Sequence, residues 1–162
     1  MLEVETDPEM REMAKMEIND LEQQKPELEE AINRFTAAWM SHGDKVKAYG
    51  NLFFGRFILL MADESAVSVG GSSTDSSVNF IKSLGEKFGI DFFDRNNLAF
   101  VVKDKIQLLP LNQLGYAFNN GFINSDTLYF NNLVLNKQQL EEDWMLPIKE
   151  SWLAKRLNLQ QA

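Results

Sequence analysis

Apolar residues recur along this chain first at helical spacing and then at alternating spacing. Thr6-Asp7-Pro8-Glu9 reads as a helix start: a capping residue, proline in the first turn and acids at the positive end of the dipole. Met10, Met13, Ala14, Met16, Ile18 and Leu21 follow, mostly on one stripe. Pro26 clashes with the turn before it, so a break is expected near Gln24-Lys25 and a restart at Glu27. Leu28, Ile32, Phe35 and Trp39 then fall at spacings of 4, 3 and 4, predicting an amphipathic helix over 27–41 that ends at His42-Gly43. Val46 to Phe53 and Phe57 to Ala62, broken at Gly55-Arg56, read as the two strands of a hairpin. A polar loop from Ser65 to Ser73 leads to a helix capped at Thr74-Asp75 or Ser76. Its apolar positions are Val78, Phe80, Ile81, Leu84 and Phe88, and Gly89 closes it. Leu98 to Val102 and Ile106 to Leu109 bracket a hairpin tip at Lys103-Asp104-Lys105. Beyond it come a short helix over Leu111 to Phe118, a strand over Thr127 to Phe130, and helices over Lys137 to Trp144 and Glu150 to Leu157.

From residue 27 the order is α-β-β-α-β-β followed by short helices. This predicts an α+β fold, an incomplete ferredoxin-like (split βαβ) plait that lacks its first strand. The predicted organisation is an acidic helical leader over 1–26 and a single α+β domain over 27–162. In such a plait the missing strand is central, between Phe57–Ala62 and Leu98–Val102. Unpaired buried backbone costs about 1–3 kcal/mol per group, so those two strands are expected to close up and pair directly. A fold with such an edge is also expected to self-associate.

Composition narrows the classes. The apolar fraction is 44%, normal for a chain with a core, and there are no cysteines and one histidine. Disulfides, thiolate metal sites, Cys nucleophiles and multi-His metal sites are therefore excluded, and a reducing compartment is consistent. Residues 1–30 hold 11 acids and 3 bases, whereas 31–162 hold 13 of each, so the net charge of −8 sits in the leader and the first residues after it. A neutral body with scattered Lys and Arg offers no stripe for phosphates, so no nucleic acid is expected as partner. The acidic start lacks the basic region of a signal peptide, and the longest apolar run, Phe57 to Ala62, falls far short of the ~20 residues that span a bilayer. A soluble, cytoplasmic protein without a membrane partner is expected.

Two stretches resemble known families. Asp7-Pro8-Glu9-Met10-Arg11-Glu12-Met13-Ala14-Lys15-Met16-Glu17-Ile18, continuing through Leu21 to Glu30, resembles the N-terminal helical domain of bacterial class-I peptide chain release factors. That family's Gly-Gly-Gln and stop-codon-reading tripeptide are absent. From about Ala31 to Leu157 the chain resembles a family of short bacterial proteins with no established activity. The residues that carry this include Phe35-Thr36-Ala37-Ala38-Trp39, Arg56-Phe57-Ile58-Leu59-Leu60 with Asp63-Glu64-Ser65, Gly71-Ser72 with Asp75-Ser76-Ser77, Phe88-Gly89-Ile90, Phe130-Asn131-Asn132 and Glu150-Ser151-Trp152. Members are often labelled ABC-transporter ATPase, yet this chain has no Gly-x4-Gly-Lys-Ser/Thr phosphate loop. Members usually open with a strand containing Trp-Ile-Tyr, replaced here by the leader, and many carry Cys at the position of Ser72. The meeting of two unrelated resemblances near 26–31 points to a fused, artificial or mis-assembled chain.

The segment Gly70-Gly71-Ser72-Ser73-Thr74-Asp75-Ser76-Ser77 has the most site-like chemistry. Paired glycines can take positive φ, and a helix start offers free N–H groups to an anion. Asp75 could occupy the same amides as a cap, which makes the segment a structural turn instead. Asp63-Glu64 at a strand end could bind a cation or act as acid and base. Neighbours on a strand point to opposite faces, however, and a solvated strand end is the plainer reading. His42 before Gly43 reads as a helix cap. Asp94-Arg95 and Asn131-Asn132 read as local turn pairs, and Trp144 and Trp152 with Pro147 as anchors of a C-terminal lid. No cofactor, metal or catalytic constellation is indicated. The expected function is that of a non-catalytic accessory or interaction protein with an unidentified protein partner. The alternative is a small-molecule or anion-binding protein, or a weak hydrolase, built on Gly70–Ser77 with Asp63, Glu64 and Asp94. Convergence of Asp63, Ser72, Ser73 and Asp94 on one concave pocket would favour the alternative.

Overall fold

The computed structural model describes residues 24–65 and 67–159. The helix expected from Thr6 onward lies outside the described residues. The chain divides into two compact units, whose described parts are 24–93 and 94–159.

In the first unit, α1 is helical from residue 24 to 38 and runs through Pro26, so the break expected at Gln24-Lys25 does not form. Burial of Leu28 and Ile32, at 1% and 0% exposure, anchors the turns that follow the proline. The helix stops before Trp39, short of residue 41. There the chain enters a small hairpin of β1 (Met40–Ser41) and β2 (Asp44–Lys45), in register Met40↔Lys45 and Ser41↔Asp44. Its turn is His42-Gly43, with φ of 53° and 83°, the left-handed pair that a tight hairpin turn requires. His42-Gly43 is therefore a strand turn and not a helix cap.

β3 (Lys47–Phe53) and β4 (Phe57–Asp63) form the expected hairpin, with Gly50↔Leu60 and Leu52↔Ile58 on one face. α2 (Gly71–Phe88) ends at Gly89, whose φ of 68° lets its N–H return to the Gly85 carbonyl. Leu28 and Ile32 of α1 and Leu84 of α2 bury against Leu52, with Ile58, Leu60, Phe80 and Phe88 packed around them. Both helices thus cover the same face of the hairpin. The Phe35 and Phe80 rings stack at 4.4 Å, and Glu27 pairs with Lys87 at 2.8 Å.

The second unit is built on a four-stranded antiparallel sheet in the order β6-β5-β7-β8. β5 (Asn97–Val102) and β6 (Lys105–Pro110) meet at a tight turn where Lys103 and Asp104 take φ of 52° and 62°. β7 is Leu128–Phe130 and β8 is Met145–Pro147. One face carries Leu98, Phe100, Leu109 and Tyr129, covered by Leu114 and Ala117 of α3 (Leu114–Asn119) and Leu153 of α5 (Leu153–Arg156). α4 (Lys137–Asp143) lies between β7 and β8 in sequence. β8 was not expected, because Met145-Leu146-Pro147 is short and holds a proline. An edge strand tolerates proline.

Among the described residues the strands make three separate sheets. The ladder expected between Phe57–Ala62 and Leu98–Val102 is not among them. β5 has β6 on one edge and β7 on the other, so both its edges are already paired. The described elements make an α+β protein, and no described helix is long and apolar enough to cross a membrane.

Candidate functional site

The Gly70–Ser77 segment is not a loop. Helix α2 begins at Gly71 with Gly70 as its N-cap, four to six residues before the expected caps, so Ser72 to Ser77 fall in its first two turns. Neither Gly70 nor Gly71 takes positive φ. Asp75 is exposed within the second turn and is not the cap.

Packing against residues 39–42 explains the early start. Ser73 is 3% exposed, and its hydroxyl donates to the Met40 carbonyl at 2.7 Å. Its own carbonyl accepts from the Trp39 indole N–H at 2.9 Å. Ser41, 2% exposed, donates from its hydroxyl to the Ser68 carbonyl at 2.8 Å and accepts from the Gly70 N–H at 3.2 Å. A side chain at Gly70 would collide with the His42 ring, its Cβ lying 2.8 Å from Nε2. Two buried serines and an indole thus clasp the β1–β2 hairpin to the start of α2. Three further hydroxyls turn back on their own helix: Thr74 to the Gly70 carbonyl, Ser76 to that of Ser72 and Ser77 to that of Thr74.

The acids beside this segment close turns. Asp63 Oδ1 accepts from the Ser65 N–H at 2.9 Å, and Oδ2 lies 3.6 Å from Lys47 Nζ. Hydrogen bonds from Ser65, side chain and backbone, and then the Lys47 charge hold the Asp63 carboxyl below its ordinary pKa. Glu64 Oε1 accepts from the Val69 N–H at 2.9 Å and spans the loop between β4 and α2. No hydrogen bond joins Asp63 or Glu64 to Ser72, Ser73 or Asp75 among the described residues. Asp94 belongs to the second unit, where its Oδ1 accepts from the Asn96 N–H at 2.9 Å in a turn leading to β5.

The other polar pairs also serve local structure. Asn131 Oδ1 accepts from the Leu133 N–H at 3.2 Å, and Asn132 Oδ1 from the Trp144 indole at 3.0 Å. Trp152 is 42% exposed and donates to the Tyr129 hydroxyl at 3.1 Å. Among the described residues no group of three or more His, Asp or Glu is placed to hold a metal ion. Sequence reasoning missed Trp39 and Ser41. Their signal was Ser41-His42-Gly43-Asp44, whose x-Gly pair is a hairpin turn as readily as a helix end.

No family model, no curated protein and no solved structure matches this chain.

Proposed function

We propose that this chain is a non-catalytic interaction protein of α+β fold that works by binding another protein. The observation that carries this is the clasp. The inward-facing hydroxyl of the most site-like segment, Ser73, is consumed in a backbone bond, and Asp63 and Glu64 are spent on turns. A ligand site there would need the Ser73 hydroxyl free, and an anion would be repelled by the two carboxylates. The resemblance over 31–157 to short bacterial proteins labelled as ATPases does not argue for catalysis, since the chain has no phosphate loop. The succession of α1, the β3–β4 hairpin, α2 and the β5–β6 hairpin, with the short β1–β2 hairpin inserted after α1, is what supports a relation to the split plait. A soluble, cytoplasmic setting fits the absence of cysteine.

The test is a thermal-shift screen of the full chain against ATP, inorganic phosphate and small carboxylates. No rise in melting temperature is expected, and no ATP turnover. A ligand at 100 times its Kd would stabilise the fold by about 2.7 kcal/mol, a shift of several degrees. Such a shift, lost in Ser72→Ala or Asp75→Asn, would replace this reading with the anion-binding one.

A further inference from the structure

Between β7 and β8 the chain makes an excursion over residues 131–144 that holds apolar side chains out in water. Leu133 is 68% exposed and Leu135 89%. The excursion is nevertheless tied at every turn. Its ends are joined by the Asn131 N–H donating to the Trp144 carbonyl at 2.6 Å. The Leu135 N–H donates to Gln139 Oε1 at 2.8 Å, and the Gln139 N–H returns to Asn136 Oδ1 at 2.9 Å, a reciprocal cap on α4. With the Asn131 and Asn132 bonds described above, this fixes the backbone on both sides of each leucine. One exposed leucine is ordinary; two presented two residues apart on a fixed backbone, one of them lining a recess, mark a contact surface.

That recess has a volume of about 630 Å³. Leu133, Val134 and Leu146 line it together with the acids Glu142, Asp143 and Glu150. The nearby cations are engaged elsewhere, Lys137 with Glu141 at 3.8 Å and Lys149 with Asp126 at 2.7 Å. Residues 94–162 contain 7 acids and 7 bases, but 131–150 contain 4 acids and 2 bases, so this face is negative within a neutral unit.

We propose that this face docks a cationic amphipathic segment of another protein. Its lysines or arginines meet Glu142, Asp143 and Glu150, and its apolar side chains cover Leu133 and Leu135. The inference rests on the interaction reading and gives it a surface and a partner chemistry. Charge selects this occupant over the others on hand. A second copy brings the same acids on a chain of net charge −8, and residues 1–23 bring 8 acids against 2 bases, so both are repelled.

The test uses the full chain and a fluorescently labelled synthetic 18-residue helical peptide of leucine and lysine, read by anisotropy. A counterpart with glutamate for lysine, and one with serine for leucine, serve as controls. The leucine–lysine peptide should bind, and both controls should bind at least tenfold more weakly. Leu133→Ser with Leu135→Ser, and separately Glu142→Gln with Asp143→Asn, should each weaken binding at least tenfold at unchanged melting temperature. Glu29→Gln with Glu30→Gln, which removes as much charge elsewhere, should change it less than twofold. Equal loss in that last variant would show unspecific charge attraction and overturn the proposal. So would no binding at all, or self-association of the chain that disappears in the leucine variant. None of these touches the wider interaction reading, which falls instead to the ligand-induced stabilisation described above.

Discussion

At the scale of single residues, what matters is what each buried group would lose. Tyr129 is 4% exposed, whereas Tyr49 and Tyr116 are 50% and 62% exposed. Burial raises the pKa of the Tyr129 phenol above 10.0, and the hydrogen bond from the Trp152 indole only partly offsets this. The folded chain therefore keeps that proton longer than the unfolded one. Below about pH 10 neither state ionises and the group adds no pH dependence; above it the unfolded state loses its proton first, so stability falls as pH rises. Absorbance titration at the phenolate band should show a late step that belongs to Tyr129. Tyr129→Phe should abolish the late step and flatten the alkaline fall in stability. A titration without that late step would contradict the burial of Tyr129. Gly50 is constrained by space and not by backbone angle: a Cβ there would lie 2.6 Å from Ile32 Cγ2 and 2.7 Å from Thr36 Cγ2. Both neighbours branch at Cβ and yield little, so Gly50→Ala should destabilise by about 1–3 kcal/mol in denaturant unfolding. A neutral result would mean that α1 does not cross β3 at this glycine.

At the scale of elements, the start of α2 tests whether its serines serve structure or a ligand. Ser41→Ala would leave the Gly70 N–H and the Ser68 carbonyl without their shared partner, and Ser73→Ala would strip the Met40 carbonyl. Each should cost about 1–3 kcal/mol and speed hydrogen exchange at the Ser73 and Thr74 amides. Ser72→Ala, on the exposed side, should stay within about 0.5 kcal/mol of the parent chain. Equal effects at 72 and 73 would dissolve the clasp. The same element shows where the sequence could be read and where it could not. The 46–62 hairpin, the Gly89 stop and the Lys103-Asp104 tip follow from alternation and turn residues, which are local. The beginning of α2 is not local. Three candidate side-chain caps at Thr74, Asp75 and Ser76 lost to Gly70, because Ser41 and Trp39, some thirty residues earlier in the chain, hold the helix from outside. His42-Gly43 failed for a related reason: αL geometry serves a helix end and a hairpin turn equally, and only the pairing of Met40 with Lys45 decides. The candidate site was legible in its residue types and illegible in its partners, since nothing local in Ser73 says that its hydroxyl faces the Met40 carbonyl.

At the scale of the whole molecule, the two units have different electrostatic and packing characters. Residues 24–93 hold 9 acids and 7 bases, residues 94–162 hold 7 of each, and 1–23 hold 8 and 2, so most of the net −8 lies ahead of the described residues. Each unit also closes an apolar cluster of its own: Leu28, Ile32, Leu52 and Leu84 in one, and Leu98, Phe100, Leu109, Tyr129 and their neighbours in the other. The second cluster has the larger set of fully buried side chains, with Leu109, Ile148 and Leu153 all at 0% exposure. A chain of residues 94–162 should therefore fold alone, although a domain of about 60 residues buries only about 60% of its unfolded surface and is only marginally stable. The expectation is a cooperative melt at a lower temperature than the full chain, with a near-ultraviolet signal from Trp144 and Trp152. The Tyr129 phenol supplies the decisive marker, because its late ionisation depends on burial among Phe100, Ile148 and Leu153 and not merely on collapse. A fragment that loses the late ionisation, or that melts without cooperativity, would show that residues 27–162 are one folding body, as the order of elements in the sequence first implied.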